Sequence, residues 1–154
     1  MSKKKVVNNE GYLQDILGIK YEYFDPYKNE KKKLKQSMQC SVRAIAKVTK
    51  VDKNKIYNMI INIGKKYNDF GDNQYIVKKV LKKFGFRNMH IENTLVGVFC
   101  KNHKKGSYVI GINGHCFSYI DGTIYDCAAD REEFTEDTIE YVLCQNINYA
   151  YEYI

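Results

Sequence analysis

From Cys40 onward, apolar residues first recur at helical spacing and later at every second position, so the chain divides into a helical half and a strand half. Val42, Ala44, Ile45, Ala46 and Val48 make a small apolar stripe along one short helix that Lys50-Val51 breaks. Asp52 is a good N-cap for a second helix carrying Ile56, Met59, Ile60 and Ile63 and closing near Gly64. A third helix is expected from Asp72 through Ile76, Val77, Val80 and Leu81, stopping at Gly85, with the four Lys of segment 78–83 on its outer face. After Phe86 the period changes to two: strands are expected at 88–92, 95–100, 107–112, 115–120 and 123–126. Thr135 is placed to cap a short helix through Val142, and the alternation around Ile147, Tyr149, Tyr151 and Tyr153 reads as a half-buried last strand. Helices first and antiparallel strands second make an α+β domain.

Asp121-Gly122 is a strong two-residue hairpin signal, and it fixes a register. Opposed residues then have numbers summing to 243, so Phe117 faces Asp126 and Cys116 faces Cys127. Because side chains alternate, His115 shares a face with Phe117 and therefore with Asp126, one diagonal step away at roughly 5.5 to 8 Å between Cβ atoms. A carboxylate at that distance can hold an imidazole ring. Cys40 is expected at the start of the first helix, where free N–H groups and the helix dipole lower a thiol pKa. A nucleophile, a base and a group that orients the base are thus available in Cys40, His115 and Asp126.

The stretches Gln36-Ser-Met-Gln-Cys40-Ser-Val-Arg43-Ala44 and Gly114-His115 through Asp126 resemble the papain-like cysteine peptidases, in particular the small C39-like domains of bacteria and phages. The resemblance covers about residues 36 to 127. It implies a papain-like fold, with residues 36–86 as an N-terminal helical lobe and 87–154 as an antiparallel sheet in one domain. Residues 1–35 would be a polar, Lys-rich arm packed on the body. It also implies a thiol hydrolase acting on a protein or peptide (peptidase, isopeptidase or amidase) without a cofactor. In that reading Cys40 attacks the carbonyl, His115 moves the proton and Asp126 orients His115. The oxyanion would be held by the Cys40 N–H and a Gln side chain. The family's Gln position is Leu34 here, so Gln36 and Gln39 are offset alternatives, and Ser41 stands where the family commonly has Gly.

The remaining features alter this picture only in part. At 154 residues with one Pro the chain has room for a single core. No apolar run is long enough to span a bilayer, and Met-Ser-Lys-Lys-Lys lacks the apolar stretch of a secretory signal, so a cytoplasmic protein without membrane partners is expected, in the host cytoplasm if phage-encoded. Five Cys in such a chain read as thiols rather than disulfides. Cys100 and His103, with Cys116 and Cys127 opposed across the hairpin, form a rival zinc constellation; inward-facing core sulfurs are the plainer reading. The net charge of +7 is uneven: residues 36–105 hold fifteen Lys or Arg against four acids, and residues 106–154 hold one Arg against nine acids. Two oppositely charged walls of a cleft are the economical expectation. The alternative is a non-catalytic module on the same scaffold that engages nucleic acid or a host protein through its Lys-rich face.

Overall fold

The computed structural model describes residues 19–27, 36–69, 73–126 and 136–154. Among them the fold is α+β, with five helices and six strands in the order β1 Lys20–Tyr23, α1 Gln36–Thr49, α2 Lys53–Lys66, α3 Gln74–Lys83, β2 Phe86–Asn88, α4 Val96–Asn102, β3 Ser107–Ile112, β4 His115–Ile120, β5 Thr123–Asp126, α5 Glu136–Leu143 and β6 Tyr149–Tyr153. The strands form one open sheet ordered β1-β5-β4-β3-β6-β2. All neighbours are antiparallel except β1 and β5, which run parallel. No helix among the described residues is long and apolar enough to cross a membrane.

Alternation along the strands sends side chains to two cores. Val109, Cys116, Tyr149 and Tyr151 pack with α1, α2 and α3, whereas Tyr108, Ile110, Phe117, Tyr119 and Ala150 pack with residues of α4 and α5. The sheet is therefore a middle layer with helices on both faces. On α2, Ile56, Ile60 and Ile63 recur at helical spacing and are buried. Each such side chain contributes about 1.5–3 kcal/mol of hydrophobic stabilisation. Asp52 caps α2 by accepting from Asn54 N at 2.9 Å, as its position before the apolar run requires.

Four expectations are corrected here. The arm of residues 1–35 contains β1, which joins the sheet as an edge strand and makes it mixed rather than purely antiparallel. The strand expected at 95–100 is the helix α4: Val96, Phe99 and Cys100 are buried at i, i+3, i+4, and docking of that face overrides the β-leaning composition of a six-residue apolar run. The strand expected at 88–92 is β2, which ends at Asn88; His90 and Asn93 have positive φ, which extended pairing does not allow. The third helix is capped by Asn73, whose side chain accepts from Tyr75 N at 2.7 Å. Thr135, Cys127 and Asp72 lie outside the described residues.

Both hairpin turns around β4 have two residues. Asp121 and Gly122 have φ of 45° and 89°, as a type I′ turn demands, and the observed pairs 118–125, 119–124 and 120–123 follow the expected register. Across β3 and β4, Ile112 pairs with His115 over Asn113-Gly114. His115 therefore opens β4 at the sheet end where Asp126 closes β5. On β3, Gly111 admits the Tyr149 ring: a Cβ there would fall 2.0 Å from Tyr149 Cε2. Gly111→Ala is expected to displace that ring and destabilise the fold by about 1–3 kcal/mol, read as a lower urea midpoint at unchanged slope.

Candidate active site

Cys40 reaches the end of the sheet because α1 lies across β4 and buries Val42, Ala44, Ile45 and Val48 against it and the neighbouring helices. The helix begins at Gln36, four residues earlier than the apolar stripe implies. Cys40 is thus one turn inside α1, and its N–H belongs to the i→i−4 ladder rather than to the free donors of the first turn. This corrects two expectations, the helix-start explanation of its acidity and the use of its N–H as an oxyanion donor. Gln36 and Gln39 stand on the first turn of α1.

His115 Nε2 and Asp126 Oδ2 are 2.8 Å apart. That contact engages one ring nitrogen, and the ring lines the same cavity as the Cys40 sulfur, each favouring the charged form of the other. Asp126 is buried at 3 % exposure, and three side chains among the described residues hold it. Besides His115, Tyr21 Oη on β1 donates to Oδ2 at 3.3 Å, and Arg43 Nη1 on α1 lies 3.9 Å from Oδ1. Arg43, itself buried, also pairs through Nε with Asp25 at 3.8 Å. These distances make Arg43 a charge partner rather than a hydrogen-bond donor, and Nε has no hydrogen bond. One cation on α1 thereby ties the segment after β1 to the carboxylate behind His115.

A second sulfur completes the surroundings of Cys40. Cys116, on β4, points toward α1 and lines the same cavity as Cys40. Its interaction with the Cys40 sulfur, aided by the His115 cation and opposed by burial, lowers the Cys40 pKa to about 4. The Cys116 thiol is pushed up by the Cys40 charge and by complete burial. His115 touches Cys40, so the negative charge resides on Cys40 and Cys116 keeps its proton. Burial lowers the His115 pKa, but Asp126 and the Cys40 thiolate outweigh it and raise the pKa to about 10. Over the range between those two values the pair is a thiolate and an imidazolium.

Cys40, His115 and Cys116 line a cavity of about 220 Å³ with Ser41, Gln74, Val77, Ile112, Gly114 and Tyr149. Among the described residues, no charged side chain apart from the pair itself lines it. Sequence reasoning missed Arg43, Tyr21, Gln74 and the role of Cys116, because none stands at a motif spacing and each arrives from a different element. Gln74 follows a helix cap, and Arg43 breaks an otherwise apolar stripe, which is the one local signal of a buried charge partner.

The zinc constellation is not assembled. Cys100 belongs to the core under α4 and α5 and Cys116 to the core under α1, so the sheet separates them. His103 directs Nδ1 to the Phe99 carbonyl at 2.9 Å and stacks on the Phe99 ring. Burial pushes the Cys100 thiol up to about 12, and no cluster of three metal-ligating side chains occurs among the described residues. The fourth member, Cys127, lies outside those residues. Comparison with protein-family models, with curated proteins and with solved structures finds no match to this chain.

Proposed function

We propose that the chain is a papain-like cysteine hydrolase that cleaves an amide bond in a protein or peptide. The observation that carries this reading is an imidazole held by a buried carboxylate at 2.8 Å on the wall of the same cavity that the partly exposed residue Cys40 lines. The Cys40 thiolate attacks the carbonyl carbon, and the C=O electron pair moves onto oxygen. His115 gives its Nδ1 proton to the leaving nitrogen as the C–N bond breaks, leaving an acyl thioester on Cys40 and releasing the amine. His115, now neutral, takes a proton from water, the hydroxide adds to the thioester, and loss of the carboxylic acid restores thiolate and imidazolium. Asp126 holds the ring and stabilises its charge in both steps. Gln74 brings a carboxamide to the cavity wall and takes the oxyanion role in this reading, worth about 2.7–4 kcal/mol for a well-placed donor.

Alkylation with iodoacetamide at pH 5, mapped by peptide mass, tests the nucleophile. A thiol of ordinary pKa is about 0.03 % ionised there, and its greater intrinsic nucleophilicity recovers roughly a hundredfold, so Cys40 is expected to react about 30-fold faster than such a thiol. Equal labelling of Cys40 and Cys144 sinks the enzyme reading. Loss of hydrolysis of a peptide library in Cys40→Ala supports it.

A further inference from the structure

We infer that the outer surface of α2 and α3 binds single-stranded nucleic acid, one base entering a groove whose rim holds the flanking phosphates. This surface is separate from the Cys40 cavity and does not depend on its chemistry. Ile63, Lys66 and Tyr67 from α2 and its C-terminal turn, with Lys79, Lys82 and Lys83 from α3, line a groove of about 330 Å³. Neither helix contains an acidic residue, and none of those four Lys has a carboxylate partner among the described residues.

Helix dipoles account for Lys66, Lys82 and Lys83, which sit in last turns. They do not account for Lys79 or for the rings around it. Tyr67 and Tyr75 are 47 % and 54 % exposed, meet edge to face at 5.5 Å, and share Lys79 Nζ at 5.0 and 4.7 Å from their centroids. Two large aromatic rings are thus left in water and held in place by a cation. The groove wall of Ile63 and Tyr67 suits a flat apolar ring with a π-face, and the Lys rim suits phosphates on either side. An acidic peptide would satisfy the rim and leave that wall empty. A bilayer surface would not enter a groove. Duplex is excluded from it as well, because paired bases are not free to leave the stack. Lys in place of Arg at every rim position fits backbone contact rather than base readout.

The test is fluorescence anisotropy of the full chain with labelled dT20. Four phosphate contacts on a single strand predict a log–log salt slope near −2.8, hence about 50-fold weaker binding at 200 mM than at 50 mM salt. Removing two contacts in Lys82→Gln/Lys83→Gln is expected to reduce that change to about sevenfold. Tyr67→Leu is expected to weaken dT20 binding at least ~5-fold without altering the slope, since it removes stacking and no charge. Lys101→Gln/Lys105→Gln removes the same charge from exposed positions elsewhere and should leave binding within twofold. The inference is overturned if that control weakens binding as much as the groove variant, if an abasic 20-mer binds as tightly as dT20, or if poly-glutamate of equal charge or phosphatidylserine vesicles compete equally and are indifferent to Tyr67→Leu. Circular dichroism of each variant separates lost binding from lost fold.

Discussion

His115→Ala is expected to lower kcat/KM for peptide hydrolysis by about 10²–10⁴-fold, because the proton donor to the leaving nitrogen is gone. Its effect on the sulfur should be as large and should change sign with pH. Without the imidazolium the Cys40 pKa rises from about 4, with its ordinary 9.0 as the upper limit because the Cys116 interaction, its largest support, remains. At that limit the thiolate fraction at pH 5 falls about 10⁴-fold while the intrinsic nucleophilicity of the more basic sulfur rises roughly 10²-fold, so alkylation slows by at most about 100-fold. Near neutral pH the two terms cancel. Above pH 8 the variant thiolate is abundant and more nucleophilic, and it should react faster than the native one. In the native protein the two limbs are set by the pair: a thiol raised only at acid pH costs the nucleophile below about 4, and an imidazolium that deprotonates at about 10 costs the acid above it. A pH–alkylation profile of both proteins measures the thiolate limb, and the pH profile of kcat/KM measures the imidazolium limb. Coincident profiles would show that His115 is not the cation that holds the thiolate.

Arg43→Leu is expected to cost about 3–5 kcal/mol of stability, since it removes the cation between two buried carboxylates and leaves them with less compensation. Asp25 and Asp126 side chains are 8 % and 4 % exposed. For a chain of 154 residues that loss lowers the melting temperature by roughly 6 to 20 °C. Adding Asp25→Asn to the variant should recover part of it, because one of the two stranded charges is removed, and a double-mutant cycle reads the coupling. A change below about 1 kcal/mol would mean that ion pairs of 3.8 and 3.9 Å contribute no more here than on a surface.

The pairing of His115 with Asp126 was legible before any coordinates. A two-residue turn and strict alternation leave one register, and a slip of one residue would bury the polar face. Asp52 and the Ile56, Ile60, Ile63 stripe were legible for the same kind of reason: capping and helical period act over four residues. Segment 95–100 was not, because six apolar residues fit a buried strand as well as a buried helix, and the neighbours that decide come from α5 and the sheet. The start of α1 is not legible because residues 36–39 are helix-compatible and mostly polar, and Met38 alone makes no apolar period. The Lys excess of residues 36–105 was legible as a charged face, but only the approach of α2 to α3 gathers four of them around one groove with Tyr67.

Local order in this chain therefore follows from near neighbours: the helices α1 to α3, where the Asp121-Gly122 hairpin turns, and which side of it His115 and Asp126 share. Long-range packing decides the rest. Cys40 meets His115 and Cys116 because α1 lies across β4, and Arg43 meets Asp25 and Asp126 because β1 pairs with β5. Charges whose partners stand 75 and 76 residues away, as for Cys40, or 83 residues away, as for Arg43 and Asp126, leave no periodic signature along the chain, since electrostatic stabilisation depends on distance in space and on the loss of water around the group.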